Sequence, residues 1–581
     1  MSWLLPVMNS KQRLRTRFAG LAVLLVGLVL SIALYRLSVL DHTALAARAA
    51  AQYDKPAAAL FDRGTIFFDS KDGTETAAAS VESGYLLYMN PKQIVDPSGE
   101  YEVLTQYVSL DRTDFMAKAA KAHDPYEELM HHLDSATGKS IAALKLPGIF
   151  VTPEIWRAYP GGSLAAHEIG ILGQDSASAD MVGRYGLERS YDGILYRPSL
   201  GSSSNIFAQI FAGLGTALGG NSDSTSRPGD IVTTIEPTVQ TYLEKMILQT
   251  EDTWHGDVVG GIIMDPNTGE IVAMSSWPSF DPNDTANIKN ISLFSNPLVE
   301  NVYEMGSIMK PLTMSAALDS GVVQPDSTYD DTGCLVLNGR RICNYDGRAR
   351  GVIPMQQILS QSLNVGASTL ALKMGAATFA HYFESFGLSS RTDIDLPNEA
   401  LPITHNLQVG SDIDIATASY GQGIAVSPIG MVRALSVIAN GGYLVRPHLV
   451  KEIDYVDGTV DKIGPDRVGP VLKPQTVEEV KQMLSIVVDT ALANGHIKKA
   501  HYTMAAKTGT AEMADPVHGG YYQDRYLHSF FGFLPAFKPR FIIFLYHTYP
   551  KGAEYASETL TKPFDDLATF LINYYNIPPD R

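Results

Sequence analysis

Apolar and polar residues follow regular patterns through the second half of the chain, beginning near Val258. The stretch VVGGIIMDPNTGEIVAMSSWP places two apolar runs around a turn at 265–269, which predicts a β-hairpin. Other runs predict helices and strands by their spacing. The predicted helices are Pro311–Leu318, Met355–Met374 and Pro428–Ala439, and the predicted strands are Ser529–Leu534 and Phe541–Tyr546. We therefore expect a sheet flanked by helices here.

One apolar segment near the N-terminus is long enough to cross a membrane. Residues 18–35 carry no charge, and Lys11, Arg13, Arg15 and Arg17 precede them. The positive-inside rule then predicts a cytoplasmic tail at 1–17, a transmembrane anchor at 18–35 and export of everything that follows. A cleaved signal peptide, with its site near Ala44-Leu45-Ala46, is the alternative. The length of the apolar run favours an uncleaved anchor.

The chain between the anchor and Val258 shows no catalytic cluster. Its Ala-rich beginning predicts a helical stalk over 36–60, because alanine is the best helix former. Short β-like runs follow in 61–252, and a Gly/Ser-rich passage at 201–226 is typical of a loop. We predict a non-catalytic pedestal over 61–252 and a second domain over 253–581.

Composition narrows the class of protein. A chain of 581 residues, 45% hydrophobic and 18% charged, is expected to form two or more globular domains. A net charge of −17 argues against nucleic acid as a partner, since phosphate contacts need clustered Lys and Arg. Cys334 and Cys343 lie close together in the chain, and the sequence leaves open whether they form a disulfide.

The first motif that carries chemistry is Ser307-Ile308-Met309-Lys310. At i,i+3 spacing on a helix the hydroxyl and the amine share one face. A lysine whose pKa is lowered by burial or by a nearby cation, such as Lys507, can take the proton of the serine. Gly306 and Pro311 predict that the helix begins at Ser307, where free backbone N–H groups suit an oxyanion.

Two further motifs follow in order. Ser362-Leu363-Asn364 sets a hydroxyl and an amide two residues apart, so that in a strand or tight loop both side chains can enter one cleft. Lys507-Thr508-Gly509-Thr510 is interpreted as the start of a strand, whose glycine allows a ligand to approach the backbone. Lys507 and Thr510 could then bind a substrate carboxylate.

Each motif alone is common, and only their order gives them weight. Other residues are interpreted as structural. We expect His131-His132 to lie on a solvated helix face rather than at a metal, Asp330-Asp331 in a loop, and Tyr420, Gly421 and Gly423 to shape packing near the cleft. No group of side chains has the spacing of a metal site, and no cofactor is predicted.

This trio of motifs is shared by class A β-lactamases and penicillin-binding proteins, with Ser-Asp-Asn where this chain has Ser-Leu-Asn. Wider stretches resemble class B penicillin-binding proteins, especially division transpeptidases of the penicillin-binding protein 3 type. They are YEMGSIMKP from Tyr303, SQSLNVGAS from Ser360, SYGQGIAVSPIGMVRA from Ser419 and AAKTGTAEM from Ala505. Upstream, RGTI at Arg63, RYGLERSYDGIL at Arg184 and RPGDIVTTIEPTVQ at Arg227 resemble the pedestal of that family.

The resemblance implies an α+β fold with a central antiparallel sheet between helical layers, on an elongated pedestal. The anchor predicted from the apolar run adds one transmembrane helix. It implies that Ser307 is the acyl-ester nucleophile, Lys310 its general base, and Ser362 and Asn364 the relay and substrate-binding groups. Lys507, Thr508, Gly509 and Thr510 would recognise the terminal carboxylate or a β-lactam. The backbone N–H groups of Ser307 and Thr510 would form the oxyanion hole.

The implied function is cross-linking of peptidoglycan outside the cytoplasmic membrane, from a D-Ala-D-Ala donor to an amine acceptor. The division branch is favoured, and a membrane glycan polymerase and other division proteins are the implied partners. A β-lactamase is disfavoured because no Glu-x-x-Leu-Asn stretch lies between Ser362 and Lys507. A D,D-carboxypeptidase, an elongation transpeptidase and a non-catalytic β-lactam sensor or scaffold remain as alternatives.

Overall fold

The computed structural model describes residues 62–121, 123–174, 181–197 and 227–581. Within these ranges no helix combines the length and the apolarity that a membrane crossing requires. The predicted tail at 1–17, the anchor at 18–35, the stalk at 36–60 and the loop at 201–226 lie outside the described residues.

The described residues form two compact units. The smaller one holds residues 83–156, and the larger one holds 62–82, 157–198 and the chain from 205 onward, in so far as they are described. The domain boundary predicted at residue 252 falls inside a helix of the larger unit, Pro237–Trp254. This helix packs on the sheet described below, since Gln240 exchanges two hydrogen bonds with the main chain of Met274.

The smaller unit packs short helices on a small antiparallel sheet. Its core joins Leu87 and Met89 to Leu104, Phe115 and Ile141. Aspartate N-caps begin its three α-helices and satisfy their first N–H groups. The strands are the second part of Glu75–Met89, with Glu127–Leu133 and Ile149–Ala158, and the helices are Pro97–Leu104, Arg112–Ala119 and Ser135–Leu144.

A five-stranded antiparallel sheet is the centre of the larger unit. In spatial order its strands are Ile271–Trp277, Val258–Met264, Phe541–Thr548, Tyr521–Leu534 and Ala505–Ala514. The hairpin predicted at Val258 and the strands predicted near 529 and 541 are thereby confirmed. Ala505–Ala514 ends the order, and we call it the edge strand.

Helices cover both faces of this sheet. Successive strand residues point to opposite faces, and Gly260 and Gly261 show what each face meets. A Cβ atom at Gly261 would lie 2.9 Å from Leu243, on the helix Pro237–Trp254, whereas one at Gly260 would lie 3.2 Å from Leu298. The predicted antiparallel sheet between helical layers is confirmed, whereas the transmembrane helix of the predicted fold class lies outside the described residues.

The remaining helices of the larger unit complete these layers. The α-helices of five residues or more from Lys310 onward are Lys310–Asp319, Gln356–Ser360, Asn364–Met374, Ala376–Ser385, His405–Val409, Asp412–Ala418, Pro428–Ala439, Pro474–Ile486 and Thr561–Tyr574. The helices predicted at 311–318 and 428–439 are confirmed.

A second sheet of the larger unit contains the strands Ile66–Asp69, the first part of Glu75–Met89, Gly229–Thr233, Val450–Tyr455 and Val460–Lys462. Nearby, two arginines share one buried carboxylate. Arg63 and Arg157 each donate from Nε to Glu188, over 2.6 and 2.7 Å. Five two-stranded sheets lie elsewhere among the described residues of the unit. Two of them, Thr328–Asp331 with Gly351–Pro354 and Cys334–Leu337 with Arg340–Cys343, matter for the site.

Three expectations about local structure are wrong. The helix predicted over Met355–Met374 is interrupted, because Ser362 adopts a left-handed conformation with φ of 56°. Asp330-Asp331 is not a loop but the end of the strand Thr328–Asp331, where Asp331 is fully buried against Asn344. His131-His132 lies on the strand Glu127–Leu133, where the imidazole of the exposed His131 contacts Glu128 and Glu154.

Candidate active site

The predicted nucleophile lies where a helix begins beside the edge strand. A 3₁₀ turn at Gly306–Met309 leads into the α-helix Lys310–Asp319, so the helical segment starts one residue before the predicted position. Gly306 has φ of 64° and donates its N–H to the carbonyl of Gly421. All ten residues of the α-helix are buried, which fixes the direction in which the first turn points.

Gly509 allows the edge strand to approach this first turn. A Cβ atom there would lie 2.3 Å from the Ser529 hydroxyl and 2.8 Å from the carbonyl of Met305. The glycine was expected to make room for a ligand, but the space is used by the backbone that precedes Ser307. Gly421 also allows two stretches of backbone to approach closely, because a Cβ atom added there would lie 2.3 Å from the carbonyl of Gly306. The expected packing role of the 420–423 segment is confirmed at this residue.

The Lys310 amine lies at the centre of the site. Its Nζ is 2.8 Å from the Ser307 Oγ, 2.6 Å from the Ser362 carbonyl and 2.8 Å from the Asn364 Oδ1. The residue is 1% exposed. Burial, and then the neighbouring charge of Lys507, lower its pKa well below the usual value for a lysine.

These contacts suit a neutral amine. The Ser362 carbonyl and the Asn364 amide oxygen can only accept hydrogen bonds, so they take the two N–H groups of an uncharged amine. The lone pair that remains is then directed at the Ser307 hydroxyl, which can donate to it. Such an amine is arranged to remove the proton of the serine.

Ser362 joins the two lysines of the site. Its Oγ is 3.2 Å from the Lys310 Nζ and 3.0 Å from the Lys507 Nζ. The left-handed conformation of Ser362 costs on the order of 1 kcal/mol or more for a residue with a Cβ, and such strain is frequent at active sites. It turns both the Ser362 carbonyl and the Ser362 hydroxyl toward Lys310. The tight-loop arrangement expected for Ser362 and Asn364 is what the structure shows.

The third motif lies on the edge strand as predicted. Lys507 is 2% exposed, and burial lowers its pKa to about 7. Its Nζ also donates to the carbonyl of Thr508 over 2.8 Å. The Thr510 hydroxyl accepts from the backbone N–H of Ala556 at 3.0 Å, so its own proton stays available for a ligand oxygen.

A cleft of about 970 Å³ opens over these groups. We group its lining residues by the segments that carry them. Ser307, the edge strand and the segment 554–558 are called the first wall, and the end of the Arg340–Cys343 strand with 359–364 and 491–494 the second wall. The rings of Tyr345 and Tyr555, which also line the cleft, meet edge to face with centroids 6.2 Å apart. The predicted site residues that line the cleft are Ser307, Ser362, Asn364, Lys507, Thr508 and Thr510.

Sequence reasoning did not identify the residues that orient Asn364. Its Nδ2 donates to the Cys343 carbonyl over 3.0 Å, and the N–H of Val365 donates to the Asn344 Oδ1 over 3.1 Å. Cys334 and Cys343 form a disulfide, the possibility that the sequence left open. Nothing in the local pattern around Asn344 distinguishes it from a surface loop residue, so only the fold could reveal it.

Known proteins share this architecture. The penicillin binding protein transpeptidase domain model matches residues 259–568, and the penicillin-binding protein dimerisation domain model matches 62–202. The chain is 28% identical to stage V sporulation protein D of Bacillus subtilis, over 86% of this chain and 76% of that protein. It is 26% identical to peptidoglycan D,D-transpeptidase FtsI of Escherichia coli, over 85% and 81%.

A solved structure shows the same fold. The crystal structure of penicillin-binding protein 3 from Mycobacterium tuberculosis, complexed with aztreonam, superposes with a TM-score of 0.66 at 23% identity. The match covers 90% of this chain and 97% of that one.

Proposed function

The chain belongs to the penicillin-binding protein transpeptidase family and is a serine-type peptidoglycan D,D-transpeptidase, and we propose that it works through Ser307, with Lys310 as general base. The observation that carries this assignment is the buried Lys310 amine, whose two acceptor partners leave its lone pair for the Ser307 hydroxyl. We further propose that it acts in septal wall synthesis, in line with the division-type names among its relatives.

The geometry supports the following acylation step. The Ser307 Oγ gives its proton to the Lys310 Nζ and attacks the carbonyl carbon of the D-Ala–D-Ala bond of a stem peptide. The backbone N–H groups of Ser307 and Thr510 stabilise the oxyanion that forms. The C–N bond then breaks, and the leaving D-alanine amine receives a proton from Lys310 through the Ser362 hydroxyl, which contacts both lysines.

The acceptor completes the reaction. An amine of a second stem peptide attacks the ester carbonyl and loses its proton to the neutral Lys310, and Ser307 leaves with a proton restored to its Oγ. Protonated Lys507 and the Thr510 hydroxyl bind the terminal carboxylate of the donor. β-Lactams present a strained amide and a carboxylate to the same groups and acylate the same serine.

The chain is proposed to act at the outer face of the cytoplasmic membrane. The charge-free run at 18–35, with basic residues before it, supports a single-pass anchor with the catalytic unit outside. A membrane glycan polymerase and other division proteins are the proposed partners, by analogy with the division branch. The dimerisation-domain match at 62–202 supports a pedestal in this part of the chain.

Intact-protein mass spectrometry tests the nucleophile. The full chain in detergent is incubated with benzylpenicillin and followed for hours, beside Ser307→Ala and the control Ser320→Ala, a serine at the end of the same helix. The parent and the control are expected to gain the full mass of penicillin and keep it, and Ser307→Ala to gain nothing. An adduct on folded Ser307→Ala, or one lost within minutes from the parent, would overturn the assignment.

A second assay separates the two acyl acceptors. A pentapeptide donor ending in D-Ala-D-Ala is supplied together with an excess of a D-amino acid, and the products are resolved by mass. Exchange of the terminal residue indicates transfer to an amine, as in a transpeptidase. Release of D-alanine with the tetrapeptide as sole product would instead favour a D,D-carboxypeptidase.

A further inference from the structure

A small hairpin closed by a disulfide lies directly against the second motif. Its strands, Cys334–Leu337 and Arg340–Cys343, pair with each other, and the described part of the chain offers them no further strand. We call this pair the disulfide hairpin. Cys334 and Cys343 are opposite each other at its open end, with Cα atoms 4.1 Å apart. Because an isolated two-stranded hairpin is marginally stable in water, the covalent bond holds the end from which the chain continues to Asn344.

The residues at this end contact the last residue of the second motif and the residue that follows it. The Cys343 carbonyl accepts from the Asn364 Nδ2 at 3.0 Å, and the Asn344 Oδ1 accepts from the backbone N–H of Val365 at 3.1 Å. Two neighbouring residues of the hairpin segment therefore hold two neighbouring residues at the start of the helix Asn364–Met374. One bond fixes the Asn364 side chain, and the other fixes the backbone that carries it.

Asn344 is itself firmly held. It is 3% exposed, and its Nδ2 donates to both carboxylate oxygens of Asp331, over 2.9 and 3.0 Å. Asp331 is fully buried. Since the amide of Asn344 is saturated on its nitrogen side by a carboxylate, its oxygen can only face the N–H of Val365.

The orientation of Asn364 matters for the base. A carboxamide has one acceptor end and one donor end, and the Cys343 carbonyl can only bind the donor end. The acceptor end, Oδ1, is thereby directed at the Lys310 Nζ. If the amide turned over or withdrew, Lys310 would lose an acceptor, and its lone pair would no longer be confined to the direction of Ser307.

From these contacts we propose that Asn344 and the Cys334–Cys343 disulfide are positioning groups for the acylation step, which act through Asn364 on Lys310. The inference depends on the proposed roles of Ser307 and Lys310. It makes the enzyme sensitive to reduction of a bond that is separated from Lys310 by Asn364. An exported protein is kept oxidised, so this bond persists where the enzyme would work.

The test compares oxidised and reduced forms of the full chain in detergent. Dithiothreitol supplies the two electrons and two protons that convert the disulfide to two thiols, and is itself oxidised to its cyclic disulfide. The limiting acylation rate and the half-saturating concentration of benzylpenicillin are measured separately by time-resolved mass spectrometry. The variants Cys334→Ala/Cys343→Ala and Asn344→Ala are measured beside Val336→Ala, which changes an exposed residue in the middle of the hairpin.

We expect reduction and both site variants to lower the limiting rate by about tenfold or more, since small misplacements of catalytic groups cost at least this much. The half-saturating concentration should stay within about twofold, because the carboxylate-binding strand is untouched. Re-oxidation should restore the rate, and Val336→Ala should match the parent. Hydrogen exchange over residues 362–366 should become faster on reduction.

Other outcomes overturn the inference. It fails if reduction leaves both the limiting rate and the exchange at 362–366 unchanged. It also fails if rate and affinity fall together with the thermal midpoint, because the hairpin would then support the fold in general. The exchange measurement needs no reactive serine. An oxidised parent that is not acylated at all would therefore count against the proposed function, while exchange still decided whether the hairpin holds the second motif.

Discussion

The two walls of the cleft are held in place by different kinds of contact. On one wall, Ser307 and the edge strand are joined through backbone, with Gly509 and Gly421 allowing main chains to touch. On the other wall, the Ser362–Asn364 loop is held by side-chain hydrogen bonds and by a disulfide. Close-packed backbone in the core has few alternative arrangements, whereas a side-chain hydrogen bond is lost whenever the side chain changes its rotamer.

The two walls also hold groups with different proposed roles in the reaction. The first wall holds the groups proposed as the nucleophile, the oxyanion donors and the carboxylate site, all of which need fixed positions. The second wall holds the Ser362 hydroxyl, which is proposed to relay a proton, and the Asn364 amide, which is proposed to orient Lys310. We therefore expect equal substitutions to have unequal effects on the two walls, and the predictions below test this.

The largest effect is expected at Lys310, whose amine contacts Ser307 on the first wall and the Ser362–Asn364 loop on the second. Lys310→Met keeps the length and burial of the side chain but removes the base, so acylation by benzylpenicillin should slow by about 10³-fold, as is usual for the loss of a general base. The matched control is Lys373→Met, an exposed lysine in the last turn of the helix Asn364–Met374. An acylation rate within tenfold of the parent would remove Lys310 from the mechanism.

A smaller effect is expected on the second wall. Asn364→Asp keeps the shape of the side chain but places a carboxylate beside the Lys310 amine and against the Cys343 carbonyl. The added negative charge favours the charged lysine, so the pKa of Lys310 should rise and the neutral base should become scarce at pH 7. Acylation should fall by about 10²-fold and recover as the pH is raised.

The pH–rate profile of Asn364→Asp checks this prediction. Its rising limb should lie at higher pH than that of the parent, and Asn287→Asp, which adds the same charge at an exposed position, should leave the profile in place. A uniform loss of rate at every pH would show that Asn364 acts on the substrate alone.

The same type of substitution, glycine to alanine, is made once in the edge strand and once in the disulfide hairpin to test the comparison directly. Gly509→Ala would push a methyl group into the Ser529 hydroxyl and the Met305 carbonyl, so it should displace the first turn of the nucleophile helix. Overpacking of this kind costs about 1–3 kcal/mol, and we expect a lower thermal midpoint with acylation slowed about tenfold or more.

The partner substitution is Gly339→Ala in the turn of the disulfide hairpin. Gly339 has φ of 75° and no atom within 4 Å of its Cβ position, so the cost is backbone strain of about 1 kcal/mol. Acylation should stay within about twofold of the parent. Equal losses of rate in the two variants would contradict the distinction between the walls.

The smallest effect concerns the charge of Lys507. Its pKa of about 7 in the folded protein lies below the ordinary value of 10.5, so between these values the unfolded chain binds a proton that the folded chain lacks. The free energy of unfolding should therefore rise with pH from about 7 to about 10, because the proton that Lys507 must release on folding becomes easier to remove. Below pH 7 the penalty of burying the charge is fully present.

Lys507→Met removes the contribution of this lysine to the pH dependence of the free energy of unfolding. Its thermal midpoint should exceed that of the parent by a few °C at pH 6, and the difference should shrink as the pH approaches 10. Lys373→Met should show no such trend. A difference that is constant between pH 6 and pH 10 would mean that Lys507 is charged throughout, and that the carboxylate site does not titrate near neutrality.

The sequence by itself determined the local units of this protein. The hairpin at Val258, the helix at 428–439 and the strands near 529 and 541 are periodic over five or more residues, and apolar periodicity is a local property. Ser307 and Lys310 are three residues apart, so a helix alone brings them together. The fixed order of three motifs, with the resemblance they carry, was enough for the transpeptidase class.

Tertiary structure decided what long-range contacts control. The interruption at Ser362 reverses a helical pattern, because its carbonyl is needed at a lysine 52 residues away in the chain. Asp331 and the glycine at 509 acquire their roles from backbone that approaches from distant parts of the sequence. The support of Asn364 by Cys343 and Asn344 has no signal in spacing or composition, since a hydrogen bond between residues distant in the chain depends only on where the fold brings them together.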